Sequence, residues 1–256
     1  MKHLLKSLVV AFSMYSALPM PRVRWDEKTL QYAIWFLPVV GLVPAGLLGG
    51  LFLLCIRWGV SPALFGSLAV LLPLLITGGI HLDGFCDSCD ALASHSSREE
   101  KLRILKDPWA GAFAMIWLCA LLLLQFGAWQ QLYHTPRFLV AACMGWVFSR
   151  CLAAGAVARL PKARAEGLAA VFAASVAPRG LLLPVILAAG AAAVTGWSCG
   201  WGGLIIPLSA GAFYGWFRRM ALAQFGGITG DLAGFFICAA ETLMLTIAAL
   251  LGISLY

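Results

Sequence analysis

The sequence predicts an all-α, polytopic membrane bundle of about seven transmembrane spans plus an N-terminal interfacial or re-entrant helix, folded as a single membrane-embedded domain over residues 1–256. Three observations predict it. Of the residues, 62% are hydrophobic and 11% are charged, against roughly 45–50% and about 25% in an ordinary soluble domain. The apolar residues fall in repeated runs of about twenty, the length that crosses a hydrocarbon core of roughly 30 Å. The cations between these runs alternate in number from one loop to the next, as membrane orientation requires.

In chain order, the segment Met1 to Ala17 places Lys2 and Lys6 before an apolar stretch. Arg22 and Arg24 follow it directly, which argues against an exported signal peptide and for an amphipathic helix on the membrane surface, ending at Pro19-Met20-Pro21. Apolar runs follow at about Tyr32–Ile56, Pro62–Ile80, Gly111–Tyr133, Phe138–Ala158, Gly180–Trp197, Gly202–Phe217 and Leu232–Leu255. The fifth and sixth are short for a span. Glycines and prolines inside the runs, as in Gly41 to Gly46, suit close packing of helices.

One set of loops carries Lys2, Lys6, Arg22, Arg24 and Lys28, then Arg98, Lys101, Arg103 and Lys106, then Arg159, Lys162, Arg164 and Arg179, then Arg218 and Arg219. The opposite set carries only Arg57 and Arg137. The N-terminus is therefore expected in the cytoplasm and the C-terminus outside, as an odd number of spans demands. The formal charge of +7 reflects this orientation in the lipid bilayer. No basic helix or aromatic-interleaved basic stripe appears, so nucleic acid is not an expected partner. Of the eight cysteines, Cys55, Cys119, Cys143, Cys151, Cys199 and Cys238 lie in or beside apolar runs and are expected to be small core residues.

The same map sends Asp83, Asp87, Asp90, Asp107, Glu166 and Asp231 to the cytoplasmic face, although acidic residues did not enter it. In a helix from Gly78 to Asp90, Asp83, Asp87 and Asp90 share one face at spacings of four and three. Like charges so placed repel unless a cation neutralises them, and hard oxygen donors suit Mg²⁺ or Mn²⁺. Cys86 and Cys89 form a C-x-x-C flanked by His81 and His95, but no second pair follows, so zinc is the weaker reading. His81 is expected to make a polar contact near the site. A second patch runs from Gln224 through Gly226, Gly227, Thr229 and Gly230 to Asp231. Its glycines permit close backbone approach to a ligand, and the helix N-terminus that follows suits phosphate.

Two charges fall inside apolar runs, Arg150 and Glu241. At 1.5 Å per residue both lie roughly 12–15 Å below the cytoplasmic ends of their spans. A lone charge there costs at least roughly 2.5–3.5 kcal/mol, so these two, opposite in sign, are expected to pair.

These residues resemble the adenosylcobinamide-GDP ribazoletransferase (cobalamin synthase) family over nearly the whole chain. The resemblance runs through Phe12-Ser13 to Pro21, Phe36 to Leu42, the Gly78 to Asp90 motif, Leu102 to Asp107, Ser149-Arg150, Ala165-Glu166-Gly167-Leu168, Gly226 to Asp231, and Glu241. His81-Leu82-Asp83-Gly84 with Asp87-Ser88-Cys89-Asp90 is its most specific part. Ala91 replaces a usual glycine, and Asp107-Pro108-Trp109-Ala110-Gly111 departs from the family's usual continuation.

The resemblance implies a Mg²⁺-dependent enzyme in a bacterial or archaeal inner membrane. Its expected reaction joins α-ribazole, or α-ribazole phosphate, to adenosylcobinamide-GDP with release of GMP. On this reading Asp83, Asp87 and Asp90 hold the metal, Asp107 or Asp231 assists, and an aspartate near the nucleoside hydroxyl, with Asp90 one candidate, accepts its proton. Arg159, Lys162 and Arg164 would hold guanylyl phosphates or serve only as positive-inside anchors, and Arg150 would close the cavity floor with Glu241 or reach a phosphate. A homo-oligomer is compatible with the sequence. A CDP-alcohol phosphotransferase would need Asp-x-x-Asp-Gly-x-x-Ala-Arg, which Asp87 to Ala91 does not continue into. A transporter would place its carboxylates at mid-membrane in two related halves, and no such repeat shows.

Overall fold

The structure, a computed structural model, describes residues 2–164 and 178–254. The regular structure among these residues is helical, with one isolated parallel bridge, Lys162 with Ile228. The helices are α1 (Lys2–Tyr15), α2 (Glu27–Ala33), α3 (Leu37–Arg57), α4 (Pro62–Thr77), α5 (Ile80–Ala93), α6 (Arg98–Ile104), α7 (Ala112–Leu132), α8 (Pro136–Arg159), α9 (Leu182–Cys199), α10 (Ile205–Met220) and α11 (Gly230–Ser254).

Every expected apolar run is a helix, but their lengths differ. Among the described residues, five helices are long and apolar enough to cross a membrane, or six if α4 and α5 together form one broken span. α4 and α10 have 16 residues each, about 24 Å at 1.5 Å per residue and short of the hydrocarbon thickness. The count of about seven thus came from apolar composition, which does not register where a helix breaks.

Local signals set the helix starts. Ser61 caps α4 by accepting from the Leu64 N–H, with Pro62 in the first turn, and Ser97 caps α6 by accepting from the Glu100 N–H. α4 ends at Gly78 and α5 begins after Gly79, with φ of 64° and 79°. Two successive left-handed residues turn the chain by 97° there, a conformation open to glycine at little cost. α5 therefore runs across the end of the bundle instead of extending α4.

The core centres on α8 and α11. α8 packs against α3, α9 and α11, and α11 in turn packs against α5, α7 and α10. Exposed leucines such as Leu53, Leu75 and Leu123 coat the outside, the apolar surface that a bilayer covers. The N-terminal helix is strapped on: Ser7 Oγ donates to the Thr29 carbonyl (2.6 Å) and the Ala17 N–H to the Ile76 carbonyl (2.7 Å). Among the six cysteines expected in the core, Cys55, Cys143, Cys151 and Cys238 are buried, but Cys199 is half-buried and Cys119 is exposed on α7. Composition shows that a run is apolar without showing which face of it meets lipid.

Candidate active site

The site is built where α5 meets the start of α11. A Cβ on Gly84 would stand 2.7 Å from the Asp231 carbonyl oxygen, and one on Gly234 would stand 2.8 Å from that of His81. Glycine at both positions lets the two backbones touch, and the Phe85 and Phe235 rings stack beside them at 5.6 Å. This contact brings Asp231 to the aspartate face of α5. Asp83 is exposed and Asp87 half-buried, and Asp83, Asp231, Asp90 and Asp107 all act electrostatically on Asp87. Five carboxylates from three segments thus share one end of the bundle.

Their roles in the geometry differ. The Asp90 carboxylate is already engaged: its Oδ2 accepts from the Gly111 N–H (2.6 Å) and its Oδ1 from the Ala114 N–H (2.9 Å). It caps the N-terminus of α7, a use of a carboxylate that spacing along α5 does not disclose. Asp107 is exposed, and its Oδ1 accepts from the Trp109 N–H (3.0 Å). Among the described residues no three His, Cys, Asp or Glu side chains converge as a metal cage.

The glycine-rich patch folds as a stapled loop. After a π-turn at Ala221–Phe225, Gly226 takes φ 73°. The Ile228 N–H donates to the Pro161 carbonyl (2.8 Å) and the Ala163 N–H to the Ile228 carbonyl (3.1 Å). Gly227 lies against the backbone of this 161–163 strip, and a side chain there would collide with it. Thr229 Oγ1 accepts from the Leu232 N–H (3.1 Å) and so caps α11, while Gly230 faces open space.

The cations divide sharply. Arg164 lies 4.0 Å from Asp231 and also donates to the Leu102 carbonyl. Lys162 turns inward, donating to the Val157 and Leu160 carbonyls at the end of α8, and burial pushes its ammonium down to about 8. It closes a helix terminus instead of presenting a free charge to phosphate. Arg159 is exposed at the end of α8. Glu166 lies outside the described residues. Sequence reading passed over Arg98, whose guanidinium lies where a Gly226 side chain would be; only the fold brings the two together.

Arg150 and Glu241 pair as expected from their depth. Arg150, 1% exposed, donates to Glu241 and to the Trp146 carbonyl (2.8 Å), and Ser149 Oγ also donates to Glu241 (2.8 Å). The pair lines a small cavity of ≈ 50 Å³ in the bundle interior. His81 lines both that cavity and a larger one, of ≈ 270 Å³, that reaches Asp83 and Asp231. Arg150 and Glu241 therefore sit beneath the carboxylate cluster, not within it.

A family model described as cobalamin-5-phosphate synthase matches residues 7–249. An adenosylcobinamide-GDP ribazoletransferase from Lachnoclostridium phytofermentans is 35% identical over 249 residues, 93% of this chain and 90% of that protein. Proteins with the same name are similar from Clostridium botulinum (32% over 251 residues, 98% and 99% of the two chains) and Pseudomonas syringae pv. syringae (34% over 229 residues, 88% and 91%). No solved structure matches the chain. The match spans the aspartate helix, the stapled glycine loop and the Arg150–Glu241 pair alike, and the chain belongs to the cobalamin-5-phosphate synthase family.

Proposed function

We propose that this protein is an adenosylcobinamide-GDP ribazoletransferase, which joins α-ribazole or its phosphate to adenosylcobinamide-GDP and releases GMP. The observation that carries the reading is the grouping of Asp83, Asp87 and Asp231 beside the stapled glycine loop, in a chain similar over almost its full length to proteins of that name. In the reaction an acceptor hydroxyl oxygen bonds to the phosphorus that carries the corrinoid. The bond from that phosphorus to the GMP oxygen breaks, and GMP leaves with the electron pair. Asp231, next to the loop, takes the hydroxyl proton. Arg164 beside it and Arg98 against Gly226 offer cationic hydrogen-bond donors to the phosphates.

Mg²⁺ suits the donor set. The carboxylates are hard oxygen ligands that repel one another without a cation, and Mg²⁺ is commonly held by one or two carboxylates, with water and substrate phosphates completing its shell. A cage of three protein ligands is not required. Asp83 and Asp87, one turn apart on α5, would hold it. When bound, the ion neutralises charge on the diphosphate and on the departing GMP.

Arg98, Lys162 and Arg164, from the cation-rich loops, lie at the same end of the bundle as the carboxylates. At the other end the Tyr133 hydroxyl donates to the Val60 carbonyl (2.7 Å), and Arg137, Trp197 and Gly252 line one cavity. By the positive-inside rule the site faces the cytoplasm, from an inner membrane that the protein crosses several times.

Purified protein in nanodiscs, given adenosylcobinamide-GDP, α-ribazole and Mg²⁺, should form GMP and the cobalamin in equal amounts. EDTA should stop the reaction, with Mg²⁺ or Mn²⁺ restoring it and Zn²⁺ not. Failure to release GMP with all three present would refute the assignment.

A further inference from the structure

We infer that the ≈ 270 Å³ cavity between α1, the start of α3, α5, α8 and α11 is the subsite for the aromatic base of the acceptor nucleoside, with Asp83 and Asp231 at its wall facing the sugar hydroxyls. This rests on the transferase reading above. The volume falls near the low end of small-molecule sites, roughly 300–1,000 Å³. A nucleoside base fits that scale; a corrin macrocycle does not.

Chemistry narrows the occupant further. Val157, Ala233 and Ile237 make much of the lining apolar, and Tyr15 and His81 add two rings stacked at 6.2 Å and 26°. A flat ring system matches such walls. The charged groups in the lining are the carboxylates of Asp83 and Asp231. They accept from neutral hydroxyls, and among the described residues the rest of the lining offers no Lys or Arg to a phosphate, so this pocket suits the base and sugar of the nucleoside.

His81 supplies an independent pointer. It is 7% exposed, and its Nε2 has no hydrogen-bond partner among the described residues. A buried polar atom without a partner costs stability unless a ligand satisfies it. A benzimidazole nucleoside keeps one ring nitrogen free of the sugar, and that nitrogen accepts from an imidazole N–H. The structure thus assigns the base, its ring nitrogen and the sugar hydroxyls to one continuous wall running from His81 to Asp83 and Asp231.

The test uses the full-length protein in nanodiscs, with α-ribazole binding followed by benzimidazole fluorescence and both substrates titrated in turnover. Ala233→Leu fills the cavity without touching a carboxylate. It should raise Kd and KM for α-ribazole by roughly 10–200-fold, the range for a steric mismatch of about one methylene or more, and leave KM for adenosylcobinamide-GDP within about twofold. An analogue with a single-ring imidazole base should lose less. Equal losses for both substrates, or an unchanged Kd for α-ribazole, would overturn the subsite. If Ala233→Leu does not fold, Ile237→Ala decides: it widens the cavity and should shift preference toward bulkier bases, and an unaltered preference refutes the proposal. Wild-type protein that binds α-ribazole with this cavity dependence but releases no GMP would support the subsite while removing the transferase reading.

Discussion

At the scale of single residues, the five aspartates near the site are not equivalent, and substitution should separate them. Asp83→Asn and Asp87→Asn remove carboxylates with no structural duty among the described hydrogen bonds. On the proposal that these two hold Mg²⁺, turnover should fall about a thousandfold or more, with insertion and thermal midpoint unchanged, because losing such a ligand costs several kcal/mol in the transition state. Asp90→Ala also strips the caps from Gly111 and Ala114. Its thermal midpoint should drop as well, by the equivalent of roughly 1–3 kcal/mol. A midpoint equal to that of the wild type would show that the α7 cap contributes nothing.

The Arg150–Glu241 pair is a second residue-scale case. Removing one partner leaves a charge stranded among buried groups, a loss of about 3–5 kcal/mol, whereas removing both leaves none. Arg150→Met and Glu241→Leu should each cut folded yield, and the double variant should restore it. A double variant that folds yet stays inactive would give Arg150 a further role toward substrate. Two fully stable single variants would contradict the pair's structural weight.

At the scale of elements, the site depends on how closely α5 and α11 approach. Gly84 and Gly234 leave no space for a methyl group, so Gly84→Ala or Gly234→Ala must push the helices apart. Overpacking of this kind costs typically 1–3 kcal/mol. The shift should also move Asp231 away from Asp83, so activity should fall further than the lost stability explains. Thermal unfolding and turnover of the same preparations check both parts, and full activity in either variant would count against the contact as the organiser of the site. The Gly78–Gly79 break acts at the same scale. By turning α5 through 97° it carries the aspartate face across the bundle end to meet α11.

At the scale of the whole molecule, sidedness follows from charge. In a cysteine-free background, a probe at Asp107→Cys should be labelled by an impermeant reagent only from the cytoplasmic side, and one at Arg137→Cys only from the opposite side. The reverse pattern would invert the topology and place the carboxylates outside the cell.

Much of this was legible in the residues themselves. The apolar runs, the alternation of cations, the spacing of Asp83 and Asp87, and the matched depth of Arg150 and Glu241 are all distances along the chain, and the periods of helix and membrane convert such distances directly into positions. The tertiary structure decided what depends on residues far apart in sequence. Asp90 meets amides 21 and 24 residues away, Arg98 meets Gly226, and a cavity opens where α1, α3, α5, α8 and α11 fail to close on one another. A cavity or a cap is set by how separate helices pack, and helical spacing within any one of them carries no record of that.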